Sequence, residues 1–297
     1  MSVKKFDAIV ISGGGIKGLC SLGALQYEYE KKTYDPDNVS IYAGTSIGSV
    51  ISLLMICGYT PLEAFKSIYE IDDFLDIRSE GVDVWDFVKF MGLMSIKGFM
   101  DKIETLVKSK LGYIPTLKEL KDNTGKTLVV PVTNITKMSC EYYTYKTKPN
   151  VSCLDAVKFS SNLPFVFQRL RFEDCYIADG GVIDNFPLDY IDNGKLHILG
   201  IVSTGYNIPV GKLKLYDYFY SLAVLPIISN TKLRCRNAKS NTKLIELDTK
   251  KYPFLPFSIS DNDKMEMFSE GYNNAKITDS IIYLNCEKWK DDIHDIT

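Results

Sequence analysis

The chain has 297 residues, 45% of them hydrophobic and 24% charged, an ordinary globular composition with enough apolar material for one large core. A formal net charge of −2 supplies no global field to gather polyanions, so nucleic acid is not an expected partner. Two histidines, seven cysteines without C-x-x-C spacing and no calcium-loop pattern argue against the common metal sites; neither a metal nor another cofactor is expected.

Residues 6–11 form the first predicted strand, rich in β-branched side chains. That start leaves no room for a signal peptide. With Cys20 and Cys57 on apolar helical stretches, a cytoplasmic location is expected. Ser12-Gly13-Gly14-Gly15-Ile16-Lys17-Gly18 follows, then a helical pattern through Leu19, Leu22, Ala24, Leu25 and Tyr29. A glycine loop between strand and helix aims several backbone N–H groups one way and so makes a nest for an anion. The anion is either a phosphate or the oxyanion of a tetrahedral acyl intermediate. Gly13, Gly15 and Gly18 satisfy G-x-G-x-x-G, and Asp35 and Asp37 offer the acid that a dinucleotide site needs about 20 residues on. That reading requires one of the two to close a second strand, whereas Asp35-Pro36-Asp37 reads as a turn. A P-loop is excluded, because Leu19-Cys20 follow Gly18 where Lys and Ser or Thr are required.

Residues 39–43 read as the second strand and residues 49–57 as a buried helix. Between them, Gly44-Thr45-Ser46-Ile47-Gly48 fits G-x-S-x-G, in which the glycines relieve crowding and a strained turn lifts the serine hydroxyl into reach. The helix that starts there points its free N–H groups and positive dipole end at Ser46. The longest apolar run, residues 47–59, falls short of the roughly 20 residues that cross a bilayer.

Thr60-Pro61-Leu62-Glu63 is a capping box that opens another helix. Residues 85–100 are apolar, rich in methionine and aromatics, and broken by Gly92 and Gly98. They read first as a core-facing helix and turn, and alternatively as a mobile cover over the site. Ile103, Leu106, Val107 and Leu111 make a helical stripe closed by Gly112. Residues 128–134 read as a strand covered on both faces, with Pro131 at a bulge or where no ladder bond is needed; residues 141–145 read as its partner and 154–159 as a helix. Residues 175–179 are a strand that ends in Asp179-Gly180-Gly181. His197 falls inside an apolar strand over residues 195–202.

Beyond residue 203 the pattern weakens to helix candidates over 215–228 and 261–279. The loose basic run Lys232, Arg234, Arg236, Lys239 and Lys243 reads as a solvated face, with lipid phosphate as the lesser alternative. The alternation of elements implies an α/β fold, a three-layer sandwich with a mostly parallel central sheet. Its core is expected over residues 6–202, with residues 203–297 an extension packed on it rather than an independent domain.

A serine nucleophile needs a base. His294 lies in a charged tail and His197 in an apolar strand, so either His197 completes a triad or a carboxylate activates Ser46 directly. The order Ser46, Asp179, His197 matches the α/β-hydrolase order. In that fold, however, the oxyanion donor follows the third strand and the serine comes later still, whereas here one strand and one helix precede the elbow. This topology argues for a Ser–Asp dyad.

The succession Gly-Gly-Gly-x-Lys-Gly, Gly-x-Ser-x-Gly and Asp-Gly-Gly resembles the patatin-like phospholipases, lipid acyl hydrolases that use such a dyad. Ser160-Ser161-Asn162-Leu163-Pro164-Phe165 is similar to the family's Ser-x-x-x-Pro-Phe segment, and Asp179-Gly180-Gly181-Val182-Ile183-Asp184-Asn185-Phe186-Pro187 to its Asp-Gly-Gly-x-x-x-Asn-x-Pro. The resemblance covers about the first two thirds of the chain. It implies a patatin-like fold with Ser46 as nucleophile and Asp179 as base. It puts the oxyanion hole in the loop of Gly13, Gly14, Gly15, Ile16, Lys17 and Gly18, an elbow shaped by Gly44, Thr45, Ile47 and Gly48, and Gly180 and Gly181 in support of the acid. The implied activity is phospholipase A2-type cleavage, with a general carboxylesterase or lysophospholipase as the alternative. Outside the enzymes, the alternatives are a dinucleotide-binding protein or a catalytically silent lipid-binding regulator. The expected partners are a phospholipid or other lipid ester and, through peripheral contact, the membrane surface; a protein activator is compatible with the family.

Overall fold

Ala8–Ile11 is buried along its whole length, because a parallel strand flanks it on each side and a hydrophobic layer covers each face. The computed structural model describes residues 5–70, 92–205, 215–252 and 259–294. In chain order the elements are β1 (Ala8–Ile11), a 3-10 turn (Gly15–Lys17), α1 (Gly18–Glu30), β2 (Ile41–Gly44), α2 (Ile47–Ile56), α3 (Pro61–Tyr69), β3 (Gly92–Met94), α4 (Lys97–Leu111) and α5 (Leu117–Thr124). Then come β4 (Thr127–Asn134), β5 (Ser139–Tyr143), α6 (Cys153–Ser160), β6 (Phe165–Phe167), β7 (Leu170–Phe172), β8 (Cys175–Asp179), α7 (Gly181–Asp184) and α8 (Leu188–Ile191). The chain continues with β9 (Ile198–Thr204), α9 (Leu215–Arg236), β10 (Thr242–Asp248) and α10 (Asp261–His294).

The main sheet runs β10-β9-β1-β2-β4-β8-β7, with β5 also on β4. Its first five strands are parallel; β5 and β8 lie antiparallel to β4, and β7 antiparallel to β8. Side chains alternate across it. Ile9, Ile11, Tyr42, Val130 and Ile201 join the larger core with α1, α2 and α10, while Ala8, Val10, Ala43 and Val202 meet Phe186 and Leu188 on the other face. The architecture is the expected α/β sandwich of three layers. The five parallel strands make the sheet mostly parallel, and the strand bearing Asp179 is one of the reversed ones.

That reversal positions the site. Ala43 is level with Val129 and Val132 with Asp179, so three residues further along two parallel strands the chain brings Ser46 and Asp179 to the same level. Pro131 lies opposite Tyr142 of β5 and just beyond the end of β8.

The last third of the chain joins the same layers. β10 pairs with β9 over seven residues, from Thr242↔Ile198 to Asp248↔Thr204. α10 packs on α1 backbone against backbone at two glycines. A Cβ at Gly23 would sit 1.9 Å from the Phe268 carbonyl oxygen, and one at Gly271 1.8 Å from that of Cys20. The basic run is a solvated face only in part: Lys232 and Arg236 are exposed, whereas the other three cations reach the core. Arg234 bonds Asp189 at 2.5 Å, and Lys239 donates to the Asp192 carbonyl at 2.5 Å. Lys243 reaches the fully buried Glu28 at 2.5 Å and also pairs with Asp279. These cations tie α9, β10 and α10 to the core.

Within the apolar stretch 85–100, residues 85–91 lie outside the described residues. The remainder supports the core-facing reading: β3 pairs with β6, and Met94, Ile96 and Met100 are buried. Among the described residues no helix is long and apolar enough to cross a membrane.

Candidate active site

Ser46 stands at the sharpest point of the path from β2 into α2. Its φ of 53° and ψ of −127° are values a non-glycine residue adopts only when its surroundings enforce them. They do so here. A Cβ at Gly44 would lie 2.2 Å from the Gly48 carbonyl oxygen, and one at Gly48 2.4 Å from that of Ile11, so neither position admits a larger residue. Three bonds pin the turn: Thr45 N–H to the Ile11 carbonyl at 3.2 Å, Thr45 Oγ1 to the Asp184 carbonyl at 2.9 Å, and Ser46 N–H to Ser160 Oγ at 3.0 Å. Ser46 itself is half-buried, while Thr45, Ile47 and Gly48 are buried.

Asp179 ends β8 with 3% of its surface exposed. Its Oδ1 accepts the Gly181 N–H at 2.7 Å, and the Ser46 side chain lies close enough to favour its ionised form. Sequence leaves two opposed effects on this acid undecided. Burial dominates: it pushes the pKa up to about 7, against the Gly181 N–H and the serine, both of which favour the ionised form. The opposing N–H belongs to Gly181. Gly180 sits against Pro131, where a Cβ would lie 2.1 Å from the carbonyl oxygen.

The glycine loop divides into two groups. Among the described residues the N–H groups of Gly14, Gly15 and Ile16 meet no acceptor. Those of Gly13, Lys17 and Gly18 are taken: Gly13 donates to the Asn185 carbonyl at 3.1 Å, Lys17 to that of Gly14 at 3.2 Å, and Gly18 to the turn carbonyls of Gly15 and Ile16. Gly13 packs against Ser46, its built Cβ only 3.2 Å from the serine Cβ, so loop and elbow touch. The Lys17 side chain is buried and donates to the Gly205 carbonyl at 3.0 Å, and burial lowers its pKa to about 8. It braces the end of β9.

Two groups of residues were not singled out for a role in the sequence. Ser160 and Asn162 clamp both halves of the site. Ser160 Oγ holds the Ser46 N–H, its carbonyl takes the Gly180 N–H at 3.3 Å, and the Asn162 carbonyl takes the Asp179 N–H at 2.9 Å. The available signal was a polar Ser-Ser-Asn run at the end of an apolar helix. Beneath Thr45, the buried Asp184 accepts a 2.6 Å bond from Tyr142 and faces Arg234 Nε at 3.4 Å; burial raises its pKa. Beside Asp179 an apolar cavity of about 270 Å³ is lined by Asn162, Pro164, Phe165, Phe167, Ile177 and Ala178, among others.

Two rival readings fail on geometry. Asp35 and Asp37 occupy a turn before β2 and close no strand, which removes the dinucleotide site. His197 does not lie within a strand. It is half-buried just before β9, stacked on Phe6 at 4.6 Å with Nδ1 2.9 Å from the Lys5 carbonyl. It enters the sheet level with the start of β1, whereas Ser46 follows the far ends of β1 and β2, a strand length of roughly 13 Å away. His197→Asn is therefore expected to keep ester hydrolysis within a few-fold of the parent. A loss of several orders of magnitude in the folded variant, read with a soluble chromogenic ester, would restore histidine to the site.

The chain is 34% identical over 187 residues to a probable lipid hydrolase of Invertebrate iridescent virus 6, covering 63% of each chain; the match thus spans less than two thirds of that relative. It is 24% identical over 235 residues to an uncharacterized protein of Acanthamoeba polyphaga mimivirus, covering 75% of this chain and 77% of the other. Among solved structures, VipD from Legionella pneumophila shares the fold with a TM-score of 0.50 at 20% identity, over 93% of this chain and 67% of that one. The family model for patatin-like phospholipases matches residues 9–192, which takes in the glycine loop, the serine elbow and the Asp179 strand. The match covers well over half of the sequence, and the chain belongs to the patatin-like phospholipase family.

Proposed function

We propose that the protein is a lipid acyl hydrolase of phospholipase A2 type, with Ser46 as nucleophile and Asp179 as its base. The observation that carries this reading is the buried Asp179 carboxyl beside Ser46, its pKa pushed up to about 7 by burial. A surface aspartate, with a pKa of about 3.9, is too weak a base; one near neutrality can take a proton and return it. In the first half-reaction Asp179 accepts the Ser46 proton as Oγ attacks the ester carbonyl. The oxyanion lies against the N–H groups of Gly14, Gly15 and Ile16. Protonated Asp179 then gives its proton to the departing alcohol, leaving an acyl-serine. Water, deprotonated by the same carboxylate, releases the fatty acid. The other loop residues hold the shape of the nest, and Gly44, Gly48, Gly180 and Gly181 allow the close approaches that the geometry requires. The protein is expected to meet its substrate at the membrane surface from the cytoplasmic side.

The test pairs a fluorophosphonate probe with fatty-acid release from phosphatidylcholine. The parent protein should be labelled and should release acid, and Ser46→Ala should do neither. Labelling that persists in Ser46→Ala would place the nucleophile elsewhere. Labelling without release from any phospholipid would favour a general carboxylesterase.

A further inference from the structure

We propose that the rim formed by the β4–β5 turn and strands β7 and β8 docks on the surface of a phospholipid bilayer. Three apolar side chains stand out there: Met138 is 87% exposed, Ile135 48% and Tyr176 39%. The guanidinium groups of Arg169 and Arg171 lie 5.9 and 5.4 Å from the centre of the Tyr176 ring. Apolar tips surrounded by arginine and tyrosine suit the boundary between headgroups and acyl chains, where the bodies enter the apolar layer and the charged heads stay with phosphate. Among the described residues Arg169 has no carboxylate partner, while Arg171 pairs with Asp174 at 3.2 Å. An unpaired, exposed guanidinium is complementary to a phosphodiester.

The rim is also preorganised. The Ile135 N–H donates to the Tyr176 carbonyl at 2.9 Å, and the Tyr176 N–H donates to Thr136 Oγ1 at 2.9 Å, which fastens the turn to β8. Above all, it is continuous with the site. Ile135, Arg169 and Tyr176 line the apolar cavity together with Asn162, whose carbonyl accepts the Asp179 N–H, and Ala178, which precedes Asp179 on β8. At about 270 Å³ the cavity is below the roughly 300–1,000 Å³ of whole-ligand pockets, so it accommodates part of one acyl chain and not an entire phospholipid. A chain lifted from a bilayer at the rim would reach the dyad along an apolar wall. This placement rests on the lipid hydrolase reading, but it concerns where lipid is met rather than how the ester is cut.

The test uses Met138→Asp combined with Arg171→Glu, two exposed positions outside the cavity lining. Binding to vesicles of phosphatidylcholine and phosphatidylglycerol is read by co-sedimentation in a Ser46→Ala background, so that lipid is bound but not consumed. The rim variant, shown to be folded by circular dichroism, should partition about tenfold more weakly. In the active background, hydrolysis of vesicles should fall by a similar factor while a short soluble ester is hydrolysed as before. Unchanged vesicle binding overturns the proposal, as does a dimer that dissociates on the rim substitutions, which would give the face to a second copy of the chain. Should no variant hydrolyse any ester while the rim substitutions still weaken binding, the docking surface stands and the hydrolase reading falls.

Discussion

Ser46→Ala and Asp179→Asn are each expected to lower acyl hydrolysis by about a thousandfold or more, and the double variant no further. In the proposed mechanism the two side chains share one proton-transfer step, so the loss of either leaves the other without a task. What survives in each case should be the contribution of the glycine loop and of substrate binding. The measurement is steady-state hydrolysis of phospholipid and of a soluble ester by the three purified variants. Appreciable turnover by either single variant, or a multiplicative loss in the double, would break the dyad into independent parts.

Asp179→Asn should at the same time raise stability at alkaline pH. Burial places the folded-state pKa near 7, above the roughly 3.9 of an unfolded aspartate. The folded state therefore holds the proton more tightly, and the stability this supplies is complete below about pH 4 and lost as pH rises through 7. A shift of about three units corresponds to as much as about 4 kcal/mol, all of it forfeited at pH 8. Asparagine has the same shape, carries no charge and cannot titrate, so its denaturation curve should lack this slope and lie above the parent at pH 8. Catalysis should run the opposite way: kcat/KM should climb through an apparent pKa near 7 as the carboxylate forms, and His197→Asn should leave that limb in place. Urea unfolding of parent and variant at pH 5 and pH 8 checks the first half. Equal stabilities at pH 8 would mean that the ionised carboxylate is accommodated at no cost and that its high pKa is not the source of its basicity.

The parts legible in the sequence are those written in a few consecutive residues. The capping box at Thr60, the glycine loop after β1 and the elbow around Ser46 are each fixed by local sterics and hydrogen bonds, and they occur where their letters put them. The alternation of buried strands and helices gave the layers in the same way. What could not be read depends on partners far away in the chain. Nothing near Lys243 announces Glu28, and nothing near Arg234 announces Asp184 or Asp189, so charges that look solvated along the sequence prove to be ties between helices and sheet. The direction of β8 is likewise invisible, since a mostly buried antiparallel strand has the same apolar look as a parallel one. His197 misleads for a local reason. The apolar run starts at Leu196, but the strand begins only at Ile198, and the imidazole finds its place on Phe6 outside the ladder.

The contact of α1 with α10 at Gly23 and Gly271 bears on how the gene can be trimmed. The family match stops at residue 192, which invites a shorter clone ending there. Such a clone would strip away the helix whose Met267 and Ala275 are wholly buried, and would leave the back of α1 facing water. The glycine loop leads straight into that helix, so a tilt in α1 would be a tilt in the N–H groups of Gly14, Gly15 and Ile16. The smallest unit expected to fold is thus set by what α1 leans on and should extend at least to Ala275, far past the last motif residue.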